Sequence, residues 1–303
     1  MSAKLLQRLN ATPVNGVAMG NVSLLRLDLL GGLAPGNKSF KLRENIVRAR
    51  RLGVFRLVSF GGAWSNHLHA LAAVGAEHGF ETVGIVRGEA ATDDSAMLRD
   101  VRAWGMQVIH VTRGEYRQRN DSDYLQQVAD QFAPCLVIPE GGSNLEGAMG
   151  CMAIASLVQD LAPVARRIVV PVGTGTTLAG LVAGLGSEYE VIGISALKGA
   201  SDLEQRVQQS LHECAVGDIA RWHILHDYHC GGFARSNVAL QEFMLEFEKI
   251  HEAPLDPVYT GKMLFAIAQL QHNGDWDETL PLLAVHTGGL QGRRGYAWLA
   301  AKP

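Results

Sequence analysis

Short apolar runs rich in β-branched residues recur along the chain, each followed by a turn and a stretch with helical spacing of its apolar positions. RLVSF (56–60), TVGIV (82–86), QVIHV (107–111) and CLVIP (135–139) form an early set. RIVVPV (167–172), EVIGIS (190–195) and LPLLAV (280–285) repeat the pattern later. Strand, turn, helix, strand at this spacing predicts an α/β chain with mostly parallel sheets and covering helices, three layers deep. The four early units, residues 40–148, are enough to close as a small domain. No linker rich in Pro or Ser divides the chain, and no internal repeat is visible.

The 303 residues are 47% hydrophobic and 19% charged, so the chain can bury a sizeable core in one large domain or two smaller ones. A net charge of −3 gives no electrostatic case for a nucleic-acid partner or an anionic membrane surface. No apolar run reaches membrane-spanning length, and Met1–Asn10 lacks the apolar centre of a signal peptide, so a cytoplasmic protein is expected. Cys135, Cys151, Cys214 and Cys230 are scattered without CxxC spacing and predict neither disulfides nor a zinc site.

Glycine is abundant, and pairs fall where predicted strands end: Gly61-Gly62, Gly141-Gly142 and Gly288-Gly289. In parallel α/β sheets that edge is where sites are built. VVPVGTGTTLAGL (169–181) reads as a strand, a Gly/Thr loop and an apolar helix. The loop Gly173, Thr174, Gly175, Thr176, Thr177 is either a tight turn or a phosphate cup of backbone N–H groups at a helix N-terminus. It is not a Walker loop, because no Gly-Lys-Ser/Thr follows. Nor is it a dinucleotide fingerprint, since Leu178 holds the third glycine position and EVIGISAL ends without a ribose-binding acid.

GNKSFKL (36–42) sets Lys38 and Lys41 three residues apart at the start of a helix, where the macrodipole and mutual repulsion disfavour both. They are either solvated surface lysines or a functional pair. SFGGAWSNH (59–67) carries Ser65 and Asn66, both good N-cap types, followed by His67. The same Ser-Asn-His cluster could hold a carboxylate or a phenolic oxygen. DPVYTGK (256–262) opens another helix, where Thr260 could serve as a cap, and VHTGG (285–289) ends a strand with Thr287. A phosphorylated aldehyde held as an imine by a lysine, pyridoxal 5'-phosphate, would use all of these features. A helix N-terminus and a second cation favour the neutral amine that imine formation needs.

GNKSFKL, SFGGAWSNH, GTGTT, DPVYTGK and HTGG, in this order between about Leu24 and Gly292, resemble the family of 1-aminocyclopropane-1-carboxylate deaminase and D-cysteine desulfhydrase. These are fold-type II pyridoxal phosphate enzymes. The resemblance implies that residues 1–39 join 149–303 in a larger domain that binds the cofactor. It implies that Lys38 is the Schiff-base lysine and that Asn66 lies beside the cofactor's phenolic oxygen. Ser65 and His67 would meet the substrate carboxylate, Gly173–Thr177 would hold the phosphate, and Tyr259 would be an active-site tyrosine. Thr287 would lie near the pyridine nitrogen, with Thr260 close by. The family's deaminases carry Glu at the position of Thr260 and Leu at that of Thr287, and its desulfhydrases carry Thr at both, as this chain does. Phe40 replaces a family Arg, and Phe233 stands for a second family tyrosine. The resemblance further implies a homodimer acting on a small amino acid, by α,β-elimination from D-cysteine. Ring-opening deamination on the same scaffold is the first rival. A nucleotide-binding oxidoreductase and a non-catalytic amino-acid-binding relative are the others.

Overall fold

The computed structural model describes residues 4–10 and 12–300. Strands β1 (Leu6–Arg8) and β2 (Val22–Arg26) come first, then α1 (Asn37–Arg51), β3 (Arg56–Gly61), α2 (Asn66–His78), β4 (Glu81–Arg87) and α3 (Ala96–Ala103). β5 (Gln107–Val111), the short α4 (Arg113–Tyr116), α5 (Ser122–Gln131) and β6 (Leu136–Ile138) follow. After α6 (Leu145–Leu161) come β7 (Arg167–Val172), α7 (Thr176–Gly184), β8 (Glu190–Ser195), α8 (Leu203–Cys214) and β9 (Arg221–Leu225). α9 (Val238–His251), α10 (Thr260–His272) and β10 (Leu282–His286) complete the frame. All seven strands expected from the apolar runs are present, and the chain is mixed α/β with mostly parallel sheets.

The chain divides into two compact units. One contains the segment ending at Leu30 together with Cys151–Leu290, and the other contains Gly31–Gly150 and the segment from Gln291 onward. The first unit is built on a six-stranded sheet, β1-β2-β10-β7-β8-β9, parallel except for the antiparallel edge pair β1–β2. α10 packs on β7, β8 and β10, with α9 beside it, and α7 packs on β7 and β8 next to α8.

The second unit is built on a fully parallel sheet, β5-β4-β3-β6. Successive strand residues face opposite sides. Leu57, Val86 and Ile138 join Leu42, Leu68, Leu71 and Met97 in one core. Val58, Phe60, Val83 and Ile85 join Tyr116, Tyr124 and Val128 in another. Two cores on two faces make this unit three-layered.

The unit boundaries differ from those expected. Residues 31–39 fall in the smaller unit, and the later break, expected at 148/149, lies at 150/151 within α6. Residues 291–300 also belong to the smaller unit, where Gln291 bonds to Trp64 and Asn66 and Arg294 pairs with Asp100. Residues 1–3, 11 and 301–303, placed by sequence in the larger domain, lie outside the described residues. Among the described residues, no helix is long and apolar enough to cross a membrane.

Candidate active site

In the smaller unit, the two lysines occupy the first turns of α1, which begins at Asn37 and has no acidic residue in its first turn. They differ in burial. Lys41 is 2% exposed and its Nζ donates to the Gly141 carbonyl at 3.1 Å, whereas Lys38 is only partly buried. Lys41 is thus anchored in the interior, and Lys38 is the more accessible of the two.

α2 starts where the sequence places its N-cap. Ser65 Oγ accepts from Leu68 N at 3.2 Å. Gly61 allows this tuck, since a Cβ there would lie 2.5 Å from Ser65 Oγ. Asn66 opens the helix and its Oδ1 accepts from Gln291 Nε2 at 2.6 Å. His67 is buried, and its Nε2 lies 2.9 Å from Ser59 Oγ. The Ser59 hydroxyl donates to the Ile138 carbonyl at 2.7 Å, so it accepts from His67 and Nε2 carries the proton. Burial, and then the charges of Lys38 and Lys41, hold the His67 pKa well below its ordinary value. His67 is therefore neutral, with a buried Nδ1 lone pair that has no hydrogen-bond partner. A neutral imidazole with Nδ1 as an acceptor would meet a carboxylate through no N–H on that side, whereas Ser65 sits at the N-terminus of α2.

In the larger unit, β7 ends at Val172 and α7 begins at Thr176, with Gly173-Thr174-Gly175 between. Gly175 is left-handed at φ 88°, and a Cβ there would meet Val207 at 2.8 Å. Glycine is required by both conformation and space. Thr174 Oγ1 and Thr176 Oγ1 are 3.0 Å apart, so the hydroxyls gather at the mouth of the loop. The N-cap position, Gly175, has no side chain to cap the first turn of α7.

Tyr259 packs on this loop. A Cβ at Gly173 would sit 3.0 Å from its ring and 3.1 Å from its hydroxyl. Phe233 meets the Tyr259 ring edge-on at 6.3 Å between centroids. Thr260 turns the other way. It is fully buried, donating through Oγ1 to Asp256 Oδ2 at 2.7 Å and accepting from Asp256 N at 2.9 Å. Asp256 in turn accepts from the N–H groups of Val258, Tyr259 and Thr260. Thr260 is thus a helix-start hydroxyl, bonded within the turn to Asp256.

Thr287 is buried just past β10. Its neighbour His286 is held at both nitrogens, by Asp28 Oδ1 at 3.0 Å and the Pro254 carbonyl at 2.8 Å. Burial alone would raise the Asp28 pKa, but hydrogen bonds from Arg26 and His286 keep it far below the usual carboxylate range. This rigid group fixes the strand end that carries Thr287.

Three residues escaped the sequence reading. Asp256 opens DPVYTGK and bonds groups two to four residues on, whereas Gln291 reaches Trp64 and Asn66 from far along the chain, a pairing no spacing signals. Lys262 lies inside DPVYTGK, but its role shows only in three dimensions: it is fully buried and donates to the Gly232 and Ala196 carbonyls at 2.6 and 3.3 Å. Burial pulls its pKa down to about 8. It ties the loop carrying Phe233 to the end of β8.

In donor type, a partly exposed lysine and an amide at helix starts of the smaller unit suit pyridoxal phosphate, and so does a glycine loop at a helix N-terminus of the larger unit. The chain matches the family model described as pyridoxal-phosphate dependent enzyme over residues 24–288. It is 31% identical over 275 residues to a D-cysteine desulfhydrase from Salmonella choleraesuis, covering 84% of this chain and 82% of that protein. It is 28% identical over 284 residues to a putative 1-aminocyclopropane-1-carboxylate deaminase from Thermotoga maritima, covering 90% and 89%. A crystal structure of an ACC deaminase homologue superposes with a TM-score of 0.84 at 24% identity, covering 97% of this chain and 92% of that one. The fold, the donor set and a match across most of the chain agree: the protein is a member of the pyridoxal-phosphate dependent enzyme family, in the group of 1-aminocyclopropane-1-carboxylate deaminase and D-cysteine desulfhydrase.

Proposed function

We propose that the protein is a lyase that releases hydrogen sulfide from D-cysteine by α,β-elimination. The observation that carries this reading is the chemistry of the strand and helix ends at Thr287 and Asp256. Thr287 offers a neutral hydroxyl where the ring nitrogen is expected. The one carboxylate at the α10 start, Asp256, is occupied by three backbone N–H groups and the Thr260 hydroxyl. No acid is left there to hold a pyridine nitrogen protonated. When bound, pyridoxal phosphate supplies an electron sink for the substrate's Cα electron pair. A ring without a protonated nitrogen is a weaker sink, which suits a reaction whose leaving group departs at once.

The protein's own residues then have separate tasks. Gly173–Thr177 hold the phosphate through backbone N–H groups and hydroxyls. Asn66 donates to the phenolic oxygen, and Ser65 with the first turn of α2 binds the substrate carboxylate. The Lys38 amine takes the Cα proton as the bond to sulfur breaks. The Tyr259 hydroxyl, which packs on the glycine loop, donates a proton to the departing sulfur. The net reaction is D-cysteine plus water to pyruvate, hydrogen sulfide and ammonia.

Purified holoenzyme given each cysteine enantiomer separately tests this. Sulfide and pyruvate should appear in equal amounts from D-cysteine, with the L-enantiomer poorer by about tenfold or more. Equal turnover of the two enantiomers, or none of either, contradicts the assignment.

A further inference from the structure

The Asn66 side chain is useful to a phenolic oxygen only if its nitrogen, and not its oxygen, faces the cofactor. Which way an amide points is a matter of its partners. Gln291 decides it here. Its side-chain amide lies 3.3 Å from the Trp64 carbonyl and 2.6 Å from Asn66. A backbone carbonyl only accepts, so the Gln291 atom against it must be Nε2. That nitrogen carries two hydrogens, and the second goes to Asn66, whose facing atom must then be Oδ1. Asn66 Nδ2 is left pointing away, and among the described residues it donates to no protein group.

Gln291 is itself held in place. Arg294 Nε donates to the Gln291 carbonyl at 3.1 Å, and the Arg294 guanidinium bonds both oxygens of Asp100. Asp100 also bonds His69 Nε2 at 3.1 Å, on the same helix as Asn66. The segment just past the last strand is thereby clamped against the start of α2 from two sides. All of these groups belong to the smaller unit.

We propose that Gln291 is a positioning residue for the cofactor: it locks the Asn66 amide with its nitrogen outward, so that Asn66 donates to the phenolic oxygen of bound pyridoxal phosphate. This rests on the reading of Asn66 as the partner of that oxygen. A glutamate in place of Gln291 would accept and not donate. It would draw the Asn66 nitrogen inward and turn the Asn66 oxygen toward the cofactor. A leucine would leave the amide without a lock.

The test is equilibrium dialysis of holoenzyme against graded pyridoxal phosphate, followed by absorbance, for wild type, Gln291→Glu, Gln291→Leu, Asn66→Ala and the double variant Gln291→Glu/Asn66→Ala. Asn66→Ala and Gln291→Glu should each weaken cofactor binding about tenfold, and Gln291→Leu by about threefold. The double variant should bind no more weakly than Asn66→Ala alone, because the lock has nothing left to orient. Additive losses would mean that Gln291 matters only to the fold, and would overturn the proposal. Wild-type affinity in Gln291→Glu, with Asn66→Ala weakened, would overturn it while leaving the Asn66 reading intact. Wild-type affinity in Asn66→Ala would remove the Asn66 reading and the proposal with it.

Discussion

Borohydride reduction of the holoenzyme should fix the cofactor to the peptide containing Lys38, and Lys38→Ala should cut turnover by about 10³-fold or more. The two lysines of the α1 start are separated by their surroundings. Lys41 is anchored to the Gly141 carbonyl in the interior, whereas Lys38 remains partly accessible. Lys41→Ala should keep the fixable cofactor and lose stability instead, by roughly 2 kcal/mol or more from the cavity its stem leaves. Peptide mapping after reduction and urea unfolding of both variants separate the roles. Label on the Lys41 side chain, or an active Lys38→Ala enzyme, would reverse the assignment.

A carboxylate in the glycine loop should be the second largest perturbation. Gly175 is a poor place for it, because its missing Cβ faces Val207 and the strain of a left-handed residue would be mixed with the electrostatics. Thr174 is better. It is half-buried with its hydroxyl 3.0 Å from that of Thr176, so a change there acts on the mouth of the loop. Thr174→Asp adds a negative charge with one extra side-chain heavy atom and should weaken pyridoxal phosphate binding on the order of 10²-fold or more through repulsion of the phosphate. Thr174→Val removes one hydroxyl without adding charge and should cost about tenfold or less. Equilibrium titration with the cofactor, alongside thermal unfolding, gives both numbers. Unchanged affinity in Thr174→Asp would place the phosphate away from this loop.

Much of the fold was legible because buried parallel strands announce themselves as apolar runs. The three strands that were not anticipated lack that signal. β1 is only three residues long, β9 (RWHIL) alternates exposed and covered positions at a sheet edge, and β2 lies outside the strand–helix repeat. The membership of the C-terminal segment was also hidden, since it depends on Gln291 and Arg294 reaching Asn66 and Asp100.

The candidate site was legible as loops, because glycines and hydroxyl residues cluster where strands end. It was not legible atom by atom. That Thr260 faces Asp256, and that His67 keeps its proton on the nitrogen facing Ser59, follow from partners four and eight residues away whose direction no spacing encodes. The Asp256 bonding also bears on any attempt to convert the enzyme. Thr260→Glu would bury a second carboxylate against Asp256 and remove the hydroxyl that the helix start relies on.

The central claim is that this chain eliminates a β-leaving group and does not open a cyclopropane ring. The most direct test gives holoenzyme D-cysteine and 1-aminocyclopropane-1-carboxylate at equal concentration in one vessel and separates the two keto acids formed. Pyruvate, matched by sulfide, should exceed 2-oxobutyrate by roughly 10²-fold or more. Predominant 2-oxobutyrate with no sulfide would contradict the account.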